Sequence, residues 1–162
     1  MAVIVFSPHP FLSLINTEVD MNVTEQAMME IVKNAKTVAV EGMQDESKMD
    51  RAAYQIPAAL QSRGLKIYPV NPKIKSSLGE KAYEAVKDLP VKVDILDVFR
   101  RPEVIPVLAE ELIALPESIR PKVVWLQTGI THPEAEAKLE KAGFLVVSDA
   151  CLGVVAAQVR RS

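Results

Sequence analysis

Five apolar runs of strand length, at 37–41, 65–70, 93–98, 122–127 and 144–148, alternate along this chain with amphipathic stretches. The runs are rich in Val, Ile and Leu with little polar alternation, as strands are when both faces of their sheet are covered. The stretches between them carry helix punctuation: 51–63 stops at Gly64, 102–115 opens on Pro102, and 133–142 opens on Pro133 and stops at Gly143. Further helices are expected at 24–35 and, shorter, at 82–88. Asn22 and Glu25 have the spacing of a capping box for the first of these. Alternating β and α with short connections implies an α/β fold, a doubly wound parallel sheet of about five strands, most simply in the order 3-2-1-4-5. The 162 residues suffice for one such domain, expected over 24–162, with 1–23 as an N-terminal extension to which no role is assigned. Met21 would also make a natural start.

Composition narrows the function classes. With 19 basic against 21 acidic residues the chain lacks the footprint of a nucleic-acid or anionic-membrane binder. No stretch reaches the roughly 18 consecutive apolar residues that span a bilayer. The first residues lack a basic n-region and contain Pro8 and Pro10, a poor signal peptide. The single cysteine, Cys151, excludes an intrachain disulfide framework and suits a reducing compartment, so a soluble cytoplasmic protein is expected. His9 and His132 have no partners at metal-ligand spacing, and no metal site is expected.

In open α/β sheets ligands bind beyond the carboxyl ends of the strands, which directs attention to a few residues. After the second strand run come Val70, Asn71, Pro72 and Lys73. In a Rossmann unit that binds NAD, an acidic residue at this place reads the ribose hydroxyls. Asn71 followed by a stiff Pro72 and a cationic Lys73 instead suits a phosphorylated ribose, as in coenzyme A or NADP. The turn after the first run has one glycine, Gly42, rather than a full glycine fingerprint; it is either a phosphate cradle or a plain βα turn. Glu41, Asp45, Glu46 and Asp50 crowd that turn with negative charge, offset in part by Lys48 and Arg51. Phe99, Arg100 and Arg101 offer two guanidinium groups for phosphate and a ring for an adenine, and two arginines beside a helix start are unfavourable unless an anion intervenes. Gln127 and Gly129 either line the crevice or shape the turn after the fourth run, where Trp125 reads as core. Cys151, just past the fifth, is either a buried thiol or a thiol with a task. There is no nucleophile elbow, paired-carboxylate pattern or Walker loop, which favours binding over catalysis.

With these residues in hand the chain resembles the small stand-alone coenzyme A-binding proteins of the Rossmann type, related to the nucleotide-binding domain of the succinyl-CoA synthetase α subunit. The similarity covers 24–155 and rests on Tyr68-Pro-Val-Asn-Pro-Lys73, Val93-Asp-Ile-Leu-Asp-Val-Phe-Arg-Arg-Pro-Glu103, Val124-Trp-Leu-Gln-Thr-Gly-Ile130 and Gly79-Glu-Lys-Ala-Tyr83. It implies a bound coenzyme A whose nucleotide end crosses the first two strand ends and whose thiol arm runs toward the later ones. Gly42 and the loop through Arg51 would then face phosphates, 70–73 the adenosine end, and 99–101 the next stretch. Cys151 would lie near the pantetheine thiol, within reach of a mixed disulfide. The chain departs from the family in its longer, acidic first turn, in Asp50-Arg51-Ala52-Ala53-Tyr54 where Pro and Ser are usual after the Arg, and in its apolar tail from Leu152. Pro57 should kink the following helix or mark a late start.

These observations lead to a coenzyme A or acyl-CoA binding module without catalysis of its own. The alternatives are an NADP-linked oxidoreductase and an interaction protein that kept the fold without a ligand. A homo-oligomer or a protein partner is compatible with each.

Overall fold

The computed structural model describes residues 23–160. The first helix, α1 (Glu25–Asn34), is capped by Thr24, whose side chain accepts from Ala27 N at 3.1 Å. Thr24 thus takes the role expected of Asn22, which lies outside the described residues together with His9 and the rest of 1–22. There follow β1 (Thr37–Glu41), α2 (Ala52–Ser62), β2 (Lys66–Val70), the two-residue strands β3 (Ser76–Ser77) and β4 (Glu80–Lys81), and β5 (Ile95–Val98). The chain ends with α3 (Ile105–Ile113), β6 (Val123–Leu126), α4 (Pro133–Lys141), β7 (Leu145–Val147) and α5 (Leu152–Ala157).

The five long strands form one parallel sheet in the order β2-β1-β5-β6-β7, an α/β Rossmann-like sheet. The third long strand therefore lies beside β1, not outside β2 as the order 3-2-1-4-5 requires. Pro69 supplies the reason, since it has no N–H to give a full strand on the outer side of β2. That edge is closed instead by a single residue: Tyr83 N donates to Pro69 O and Asn71 N donates to Tyr83 O, each at 2.9 Å. The same pairing holds Tyr83 extended, so the helix expected at 82–88 shrinks to one 3-10 turn at Val86–Asp88.

Alternation along the strands sorts the core into two layers. Val38, Val40, Ile95 and Trp125 face Ile31 and Val32 of α1, Leu60 of α2, and Leu152 and Val155 of α5. Ala39, Leu96, Val124 and Leu126 face Leu108 and Leu112 of α3 and Leu139 of α4. Burying one such Leu or Val fully is worth roughly 1.5–3 kcal/mol, so the apolar tail from Leu152 acts as a cover for the first layer.

Pro57 neither delays α2 nor ends it; it is buried inside the helix. Its missing N–H frees the carbonyl of Ala53, one helical turn earlier. Gln44 N takes that acceptor at 3.2 Å and so ties the loop after β1 to the helix.

Candidate functional site

The chain leaves β1 outward to β2 and later returns to the other side of β1 as β5, which makes the β1/β5 boundary the switch point of the sheet. A cleft of about 330 Å³ opens there, lined by Gly42, Gln44, Asn71, Pro72, Lys73, Phe99, Arg100 and Arg101. Segments separated by almost sixty residues thus meet at the strand ends named from the sequence.

Local bonds set this geometry. Gly42 has φ of +84°, and a Cβ added to it would lie 2.5 Å from the carbonyl oxygen of Phe99. Only glycine lets the β1 loop press so closely on the β5 loop. Gly42 N donates to Val70 O at 2.9 Å, so buried Val70 contributes through its backbone. Asn71 uses its whole side chain to fold the loops together: Nδ2 donates to Met43 O at 2.8 Å and Oδ1 accepts from Lys73 N at 2.9 Å. Asn71 is therefore a brace that aims the β2 loop, and Lys73 is the cation it presents. Ser77 Oγ donates to Gln44 O at 2.8 Å, which pins the β1 loop from the other side.

Two acids of the first loop are engaged in hydrogen bonds, one within the loop and one to the turn after β3. Asp45 accepts from Ser47 N at 3.0 Å, and hydrogen bonds from the Ser47 side chain and backbone hold its carboxyl below the usual range. Glu46 accepts from Leu78 N at 3.3 Å. Glu41 does not project into the loop at all. It is 8% exposed at the end of β1, and Arg100 Nη1 donates to its Oε1 at 3.0 Å. Burial pushes its carboxyl up to about 7 although Arg100 opposes the shift, and the negative charge of Glu111 adds to it. Lys73 and Arg101 line the cleft without an ion-pair partner among the described residues. The cleft is basic, and an anion of phosphate size is the ligand chemistry it suits.

The remaining sequence candidates lie outside the cleft lining. Lys48 sits in an exposed 3-10 turn, and Arg51 occupies the N-cap position of α2 without a side-chain capping bond. Gln127 points into the core, 4% exposed, where its Nε2 donates to Asp97 Oδ1 at 2.6 Å. Gly129 shapes its turn at φ of +81°, and its N–H donates to Asp149 Oδ1 at 2.7 Å. Half-buried Cys151 stands at the N-cap position of α5. Trp125 is fully buried, and its Nε1 donates to Ala150 O at 2.9 Å. His132 caps α4 by accepting from Ala135 N at 3.2 Å.

Asp97 and the pairing of Glu41 with Arg100 escape the sequence reading. Asp97 lies wholly inside the sheet; Oδ1 is bonded to Gln127, Oδ2 has no partner, and burial pushes the carboxyl up to about 7 against that one bond. The signal was a charged residue inside a run of sheet-forming apolar ones. The Glu41–Arg100 pair had a similar signal, an acid ending the first buried strand.

Among the described residues no helix is long and apolar enough to cross a membrane. The chain is 37% identical over 133 residues to the Bacillus subtilis protein YneT, covering 82% of this chain and 94% of that one. A solved structure from Thermus thermophilus, cell-free ID.343, shares 38% identity with a TM-score of 0.76, covering 84% of this chain and 98% of its own. The dinucleotide-forming acetyl-coenzyme A synthetase 1 of Ca. Korarchaeum cryptofilum, in a complex with phosphate and ADP, matches at 26% identity and a TM-score of 0.57 over 73% of this chain and 26% of the synthetase. The model of the CoA binding domain matches residues 36–157, and on that match the chain belongs to the CoA-binding domain family.

Proposed function

We propose that this protein is a binding module that takes coenzyme A or an acyl-CoA at the β1/β5 switch point. The nucleotide end lies in the cleft, with its phosphates at Lys73, Arg100 and Arg101 and its adenine beside Phe99. The observation that carries this reading is the convergence of 42, 71–73 and 99–101 on one basic cleft in a chain of this family. The loops after β6 and β7, with Gly129 and Cys151, lie on the side toward which the pantetheine arm would run.

Lys73, just past β2, would equally serve the 2′-phosphate of NADP, so the test must separate the two ligands. Thermal denaturation with coenzyme A, NAD, NADP or no addition does so. A ligand at 100 times its dissociation constant adds about 2.7 kcal/mol of stability, enough to be read as a raised midpoint. The reading requires the increase with coenzyme A and none with NAD. An increase with NADP alone would replace it with the oxidoreductase reading, and no increase with any of them would leave an interaction protein that kept the fold.

A further inference from the structure

The Arg100 stem crosses the face of Gly42, its Cδ 3.1 Å from where a Cβ would stand, and turns back to the carboxylate that ends β1. Close packing of Gly42 on the Phe99 carbonyl holds the two loops together, which keeps the root of the Arg100 side chain beside the end of β1. One nitrogen of Arg100 is held by Glu41, while the side chain keeps 38% of its surface exposed where it lines the cleft. An anion bound there would share Arg100 with an almost buried carboxylate. Glu111, on α3, adds its negative charge to the surroundings of Glu41.

We propose that filling the cleft with an anion is coupled to proton uptake by Glu41, so that affinity for the anion falls as the solution becomes more alkaline. The inference rests on the reading of the cleft as a phosphate-binding site. The proton leaves solvent and adds to a Glu41 carboxylate oxygen; no other bond forms or breaks. The neutral acid still offers its carbonyl oxygen to Arg100 Nη1, which keeps the guanidinium placed while its charge is released to the ligand. The charged groups around this exchange are Arg100 after β5 and Glu111 on α3, with Lys73 and Arg101 also lining the cleft. Asp97 is on the neighbouring strand, but it points into the opposite layer and is bonded to Gln127.

The test is calorimetric titration of coenzyme A into the wild-type protein and Glu41→Gln at about pH 6 and about pH 8. The ligand's own phosphate gains charge over this range in both experiments, so the ratio of the two affinities isolates Glu41. For a group titrating at about 7 the protonated fraction falls about tenfold between these conditions, and the advantage of Glu41→Gln over wild type should grow by about that factor. Should the variant fold poorly, the wild type alone decides: titrations at about pH 8 in two buffers of different ionisation enthalpy should show a proton taken up on binding. A constant affinity ratio, or binding without proton uptake, overturns the inference and leaves the cleft standing. Failure of the wild-type protein to bind coenzyme A under both conditions overturns the reading of the cleft itself, and the inference with it.

Discussion

The two ends of the sheet treat their acidic side chains in opposite ways. At the amino end Asp94, one residue before β5, is fully engaged. Its Oδ2 accepts from Lys36 N at 2.7 Å, Thr37 N at 3.0 Å and Thr37 Oγ1 at 3.2 Å, and Lys122 Nζ is 3.0 Å from Oδ1. Burial works against its charge, but the bonds from Lys36, Lys122 and Thr37 prevail and hold its carboxyl below the usual value. At the carboxyl end Glu41 has one cationic partner and Asp97 has one amide and an orphaned oxygen, and burial pushes both up to about 7. A satisfied carboxylate fastens two strands, whereas an under-satisfied one stores a cost that a proton or a ligand can relieve. The fastened end ties strands together, and the under-satisfied end is the one at which the cleft opens.

The largest expected effect comes from Gly42→Ala. Its positive φ and the backbone oxygen 2.5 Å away leave the methyl no room, and the loss should be on the order of 3 kcal/mol or more in urea denaturation, with the cleft distorted. Next is Asp94→Ala, which unfastens β1 from β5 and should cost about 2 kcal/mol near neutral pH. Because the folded carboxyl titrates below the ordinary 3.8, this contribution is present above 3.8 and is lost as pH falls through the lowered value; a cost that persisted in strong acid would contradict the assignment. Asp97→Asn should behave with the opposite sign. A carboxyl raised from 3.8 to about 7 favours the folded state in acid and loses that contribution as pH rises through this window, so the variant should melt a few degrees above wild type at about pH 8 and lose the advantage near pH 4. The smallest effect belongs to the exposed Lys138–Glu110 pair at 3.2 Å, where Glu110→Ala should change stability by less than about 0.5 kcal/mol and less still in high salt.

The comparison also explains what was legible in the sequence. The strand runs fall where expected, 37–41 against Thr37–Glu41 and 122–127 against Val123–Leu126, because burial on both faces imposes a continuous apolar run. Pro69, whose missing donor confines β2 to an edge, is the local mark of that part of the strand order. Cleft residues such as Lys73 and Arg101 could be named because each follows directly on a strand end. Lys48 and Arg51 ride on a loop whose path is set by the Gln44–Ala53 and Ser77–Gln44 bonds, and nothing local to either residue announces them. Gln127 could not be read either, since its partner Asp97 is 30 residues away and meets it only through the sheet. What periodicity encodes was visible, and what pairing across the sheet encodes was not.

Binding of coenzyme A in the β1/β5 cleft is the proposal on which the others depend. The most direct measurement is calorimetric titration of coenzyme A into the wild-type protein and the Lys73→Ala, Arg101→Ala double variant, which removes two cleft cations that have no ion-pair partner among the described residues. Charge-assisted phosphate contacts are worth about 1.5–3 kcal/mol each, so losing two should lower affinity about a hundredfold or more while the melting temperature of the unliganded protein stays near that of wild type. Unchanged affinity in a folded double variant would contradict the placement of the ligand and with it the central claim.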